Sequence, residues 1–204
     1  MIEIKNLNIS FNDEVIFNNF SLSLKKGEKL ALTGKSGKGK STLLNLLGGF
    51  IPNFEGIVSV NGIVLNRQNI NEIRKITAWL PQEFAFNFET VNELLFAPFG
   101  FALNREKTPD KEQVLKILDS FEISETLLSK KVKEISGGQK QRIILASCML
   151  LQKPVLLFDE PTSALDESIK QRVSNYILSR KDLTVIAASH DKYWIENSDL
   201  VIQL

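Results

Sequence analysis

With 204 residues the chain holds one domain, or one domain with an inserted lobe, and 43% hydrophobic against 24% charged residues exclude a disordered or fibrous class. Lys and Arg together number 25 against 24 Asp and Glu, so the basic excess of a phosphate-backbone binder is missing and no nucleic-acid partner is expected. The single cysteine, Cys148, excludes an internal disulfide, and no run approaches the roughly 18 apolar residues that a bilayer-spanning helix needs.

The N-terminus alternates as a strand does, with Ile2, Ile4 and Leu7 in one apolar set, and it lacks the apolar core of a signal peptide. Phe20, Leu22 and Leu24 alternate with polar residues before a turn at 25–28, and residues 29–33 form a short apolar strand. That strand runs into a glycine-rich loop and then a helix over 41–47. Residues 57–65, interrupted by Asn61-Gly62, predict a hairpin. From about 83 to 149 the pattern is mostly helical, with Val114, Leu115, Leu118 and Phe121 at helical spacing and Ser136 opening a further helix. Cys148 falls in that helix as a small buried apolar residue. A fully apolar strand at 155–158, a helix at 167–178 and a strand at 184–188 follow, and Trp79 and Trp194 are packing residues. The order implies an α/β core of mostly parallel strands behind N-terminal antiparallel strands, with a helical lobe inserted between its halves.

Gly34-Lys35-Ser36-Gly37-Lys38-Gly39-Lys40-Ser41, followed by Thr42, matches G-x-x-x-x-G-K-[ST] after a strand and before a helix. Glycines let successive N–H groups face phosphate oxygens, and the helix start presents its positive end to the same anion. In this pattern Lys40 neutralises the β- and γ-phosphates of ATP and the Ser41 hydroxyl coordinates Mg²⁺. Lys35 and Lys38 either add phosphate attraction or are solvated loop charges. The strand at 155–158 ends in Asp159-Glu160, whose side chains point in opposite directions as successive strand residues do, so the two acids cannot share one job. Asp159 is placed to hold Mg²⁺ and Glu160 to polarise the attacking water.

With these two motifs in place, the rest of the chain resembles the ATP-binding cassette (ABC) family. Ile135-Ser136-Gly137-Gly138-Gln139 resembles its signature, Ser163-Ala164-Leu165-Asp166 its D-loop, Pro81-Gln82 its Q-loop, and His190 its switch histidine. Phe11 stands where the family places an aromatic against adenine, although Phe17 and Phe20 lie close by. The resemblance covers nearly the whole chain and implies a P-loop NTPase fold. Residues 1–82 and 151–204 would form the catalytic core, and 83–150 a helical subdomain.

The resemblance further implies catalytic roles for Glu160, His190 and Gln82, with Gln82 also near the Mg²⁺. Ser136, Gly137, Gly138, Gln139 and Asp166 are implied to meet the nucleotide of an opposing subunit in a homodimer or paired heterodimer. A transporter motor is implied, peripheral on the cytoplasmic membrane face and driving a separate integral permease. The alternative is a soluble cassette in an assembly or repair complex, although sustained heptads are absent. Phe84, Phe86, Phe88, Phe96, Phe99 and Phe101 fall where the family receives a permease helix, and two or three of them are expected to be exposed. The stretch 90–98 loosely resembles small bacterial cassettes linked to metal-ion export, and no cargo-sensing extension is expected after Leu204.

Overall fold

The computed structural model describes residues 1–12, 14–82 and 88–204. Strands β1 (Ile2–Phe11), β2 (Glu14–Leu24), β4 (Glu55–Val60) and β5 (Ile63–Val64) form an antiparallel sheet in the order β2-β1-β4-β5. Asn61 and Gly62 both take positive φ, 51° and 80°, which gives the β4–β5 hairpin the twist its strands need. Strands β3 (Lys29–Thr33), β6 (Thr77–Leu80), β7 (Val155–Asp159), β8 (Thr184–Ala188) and β9 (Leu200–Gln203) form a parallel sheet ordered β6-β7-β8-β3-β9.

The period of two in the parallel strands divides the interior into two cores. Leu30 and Leu32, Val155 and Leu157, and Ile186 and Ala188 face helix α1 (Lys40–Leu47) and the antiparallel sheet, meeting Ile2, Ile4, Leu7, Val58 and Val60. Ala31, Leu156, Phe158, Val185 and Ala187 face the other way. That side is covered by α3 (Val91–Phe96), α4 (Lys111–Ser120), α5 (Gly137–Leu150), α6 (Glu167–Leu178) and Trp194 of α7 (Lys192–Glu196). Apolar residues on both faces are why these strands read as unbroken hydrophobic runs. Each buried Leu or Val contributes about 1.5–3 kcal/mol relative to exposure. Trp194 is 0% exposed and edge-on to Phe158 at 6.5 Å, a packing residue as expected. Trp79 is half-buried and tilts against the exposed Phe50 at 4.7 Å, beneath the Arg74 guanidinium.

Helix α2 (Ile70–Ile76), α7, β6 and β9 carry no sequence signal strong enough to predict, being four to seven residues long. Over the described residues 88–149 the helical stretch is less continuous than its pattern suggests. Short 3-10 turns at Ala97–Gly100, Arg105–Lys107, Glu125–Ser129 and Val132–Glu134 separate α3, α4 and α5. Phe84 and Phe86 lie outside the described residues. Of the other four phenylalanines in that cluster, only Phe101 is exposed, at 62%. The Thr90–Glu93 capping box starts α3 so that Val91, Leu94 and Leu95 turn inward. Phe99 follows them into the core, and Phe96, half-buried, tilts against it at 6.1 Å. Among the described phenylalanines of this cluster, Phe101 is therefore the one open to a partner.

Cys148 is buried on α5, which pushes its thiol up to about 12. Thiolate, the reactive form, is then scarce at pH 8. A maleimide is expected to leave the folded chain unlabelled and to add one equivalent after urea unfolding. Labelling of the folded chain at the unfolded rate would contradict this placement.

Candidate nucleotide site

The parallel order fixes the site, because four neighbouring strands end side by side. Pro81-Gln82 follows β6, Asp159-Glu160 ends β7, Ser189-His190 follows β8, and the glycine loop follows β3. Registers Leu80↔Phe158, Asp159↔Ala188 and Leu32↔Ala188 bring these exits to one level. Carboxyl ends of a parallel sheet are where ligand crevices form.

In the glycine loop Gly34, Gly37 and Gly39 all take positive φ. Gly34 also lies so close to the Leu204 carbonyl that no side chain fits. A Cβ on Gly39 would come within 2.8 Å of Ile16 and 3.0 Å of Phe17, so β2 packs directly beneath the loop. The first helical hydrogen bond of α1 runs from Leu43 N–H to the Gly39 carbonyl at 2.8 Å. The N–H groups of 39–42 therefore open at the helix start, where an anion is favoured. Lys40 is 9% exposed, and its ammonium donates to the Gly34 and Lys35 carbonyls at 2.7 and 3.1 Å. Lys35, Ser36, Gly37, Lys38 and Ser41 are exposed and Thr42 is half-buried. Lys38 lines a cavity of about 510 Å³ together with residues 14–21 and Leu204.

Asp159 is 7% exposed at the end of β7. Glu160 follows the last residue of β7 with φ 51°, so strand alternation does not extend to it. For a non-glycine residue that conformation costs about 1–3 kcal/mol and commonly marks a functional turn. The Glu160 N–H donates to Ala188 at 2.9 Å, and its Oε1 lies 3.6 Å from His190 Nε2. Desolvation raises the Glu160 carboxyl above its ordinary range. It prevails over the opposing pull of His190, through both its charge and its backbone N–H, and Asp159 adds to the rise. A carboxylate shifted toward neutrality is a better proton acceptor for water.

The other predicted residues cluster in two further places. Ser136 caps α5 in a reciprocal box with Gln139, each donating its N–H to the other's side chain at 3.0 and 3.2 Å. Ser136 and Gly137 are exposed. A Cβ on Gly138 would come within 2.9 Å of the Ala164 carbonyl, so glycine permits the start of α5 to press on the 163–166 turn. Asp166 caps α6, accepting from Ile169 N–H and the Ser168 hydroxyl, which hold its carboxyl below the usual range. Among the described residues no hydrogen bond joins either group to the glycine loop. Gln82 is exposed past β6. Phe11 is 45% exposed at the end of β1, whereas Phe17 is buried and tilts against Phe20 at 5.1 Å. Ser163 carries a contact invisible in the sequence, because its N–H and hydroxyl both donate to the Glu160 carbonyl, at 3.4 and 3.2 Å. That contact exists only because Glu160 turns left-handed.

A phosphate-loop α/β domain with paired carboxylates at a strand exit of the same parallel sheet defines a nucleotide hydrolase. The chain belongs to the ABC transporter family, whose sequence profile matches residues 17–163, and within it to the ATP-binding ATPases. It is 33% identical over 207 residues to "Probable iron export ATP-binding protein FetA" of Escherichia coli K12, covering 100% of this chain and 91% of that one. It is 34% identical over 198 residues to the energy-coupling factor transporter ATP-binding protein EcfA1 of Fusobacterium nucleatum, covering 94% and 74%. A solved dimeric, post-hydrolysis structure of the ATP-binding cassette MJ0796, bound to ADP and Pi, superposes with a TM-score of 0.83 at 27% identity. That superposition covers 100% of this chain and 94% of the other.

Proposed function

We propose that this ATPase energises transport through a separate membrane permease, acting as one of two subunits that close on two ATP molecules. The observation that carries the proposal is the division of anion-binding groups between two surfaces. The glycine loop, acidic pair and His190 share the carboxyl end of the parallel sheet, while a second helix start, at Ser136 and Gly137, opens to solvent without touching them. A helix start of that kind attracts phosphate, so a second copy meeting the first head to tail would complete each site. Dimeric MJ0796 supports this pairing.

In this reading Phe11 stacks on the adenine and the N–H groups of residues 34–42 wrap the phosphates. Lys40 exchanges its loop carbonyls for phosphate oxygens. Glu160 takes the proton of the attacking water, His190 contacts the γ-phosphate beside it, and Gln82 closes the far side. Ser41, Asp159 and Gln82 are hard oxygen donors too few to cage an ion alone, and the described residues contain no cluster of three or more His, Cys, Asp or Glu. That suits Mg²⁺, which keeps its waters and shares phosphate oxygens. When bound it would neutralise phosphate charge.

Among the described residues no helix is long and apolar enough to cross a membrane, so coupling would need a partner chain on the cytoplasmic face. Among the described residues of that stretch Phe101 is the exposed aromatic available for the contact; Phe99→Ala would report on core stability instead. The relatives' names indicate different roles, consistent with a motor that touches nucleotide and permease but not cargo. Capture of the tagged chain from native membranes in mild detergent tests the proposal. A stoichiometric polytopic partner, weakened by Phe101→Ala, is the expected result. Recovery only with soluble proteins would move the ATPase to an assembly or repair complex.

A further inference from the structure

Gln141 lies in the second turn of α5, away from the nucleotide, and nothing in its residue type suggests a role. Its side chain crosses from the helical lobe to the loop after β7. There Nε2 donates to the Glu160 carbonyl at 3.3 Å and to the Pro161 carbonyl at 2.9 Å. Both targets are acceptors, which fixes the amide orientation by chemistry, since only the NH₂ side can face them. The Glu160 peptide is thereby held from both ends. Its N–H is tied to Ala188, and its carbonyl receives Gln141 Nε2, Ser163 N–H and the Ser163 hydroxyl. A left-handed glutamate tends to relax toward the ordinary region, which would swing its carboxylate away from His190.

We infer that Gln141 is a positioning residue, holding the Glu160 backbone in its left-handed turn so that the carboxylate faces the site. The inference rests on Glu160 being the base. Gln141 also makes the start of α5, pressed on the 163–166 turn through Gly138, continuous with the catalytic turn of its own subunit.

The experiment compares wild type, Gln141→Leu, Gln141→Arg and Glu160→Gln by steady-state hydrolysis, equilibrium ATP binding and thermal unfolding. Leucine keeps the side-chain bulk and removes the donor; arginine restores donors at that reach. Loss of a donor to buried carbonyls is expected to lower kcat about tenfold in Gln141→Leu, with the ATP Kd within about twofold and recovery in Gln141→Arg. Unchanged kcat would overturn the role, as would a fall in ATP binding that tracks a lowered Tm, or no recovery with arginine. If Glu160→Gln itself turned over normally, the base assignment would fail instead, which separates the two claims.

Discussion

Replacing Glu160 with glutamine is expected to lower turnover by about two to four orders of magnitude while leaving ATP affinity within about twofold. The side chain keeps its shape and loses only its ability to accept a proton. The raised carboxyl of Glu160 sets the sign of two accompanying effects. In the wild type, hydrolysis should fall on acidification at a pH above the ordinary glutamate range, because the base must be ionised to act. Stability has the opposite sign. A carboxyl that holds its proton more tightly in the folded chain favours folding at low pH, and this advantage is lost as pH rises through the folded value. At neutral pH the fold therefore carries a disfavoured charge beside Asp159, and the neutral amide should raise Tm there while leaving it nearly unchanged at pH 4. With that charge gone and ATP uncleaved, the ATP-bound dimer should persist on size exclusion. Turnover within tenfold of wild type, or a Tm gain equal at both pH values, would remove Glu160 from the role of base.

The sequence made the family and the ATPase class legible more fully than the geometry. Gly34 to Ser41 and Asp159-Glu160 could be recognised because phosphate binding constrains adjacent residues, so the signal is local. The parallel strands β3, β7 and β8 were legible because burial on both faces leaves continuous apolar runs. Strand β9 was not, since its Leu200 and Val201 are exposed and its partner, Leu30 to Thr33, lies 170 residues away in the sequence. The contacts of Gln141 and Ser163 with the Glu160 carbonyl were not legible either, because they depend on the turn after β7 and not on a local pattern. Strand alternation sets Asp159 and Glu160 on opposite sides on paper, yet β7 ends at Asp159 and Glu160 is left-handed. The phenylalanine-rich stretch divides in a way its composition does not specify, since aromatic density cannot distinguish a docking patch from the lobe's own core, which takes Phe99 and leaves Phe101 exposed.

Replacing Lys40 with alanine is expected to weaken ATP binding by about two to three orders of magnitude, whereas Lys35→Ser and Lys38→Ser should each change it by less than about threefold. All three lysines lie in one loop, so a simple count of positive charge would rank them equally. Their surroundings differ. Lys40 is 9% exposed and already directed into the loop, with its ammonium on the Gly34 and Lys35 carbonyls. Phosphate oxygens entering the loop would meet a cation fixed in place and partly shielded from water. Two charge-assisted hydrogen bonds there are together worth about 3–4 kcal/mol. Lys35 and Lys38 are exposed, and charges in water are screened within about 8–10 Å at physiological salt. Titration calorimetry with ATP at two salt concentrations separates the cases. The Lys40→Ala loss should persist at high salt, while any effect of Lys38→Ser should fade. A Lys38 effect as large as that of Lys40, and equally resistant to salt, would mean that the cavity between Lys38 and β2 belongs to the nucleotide site.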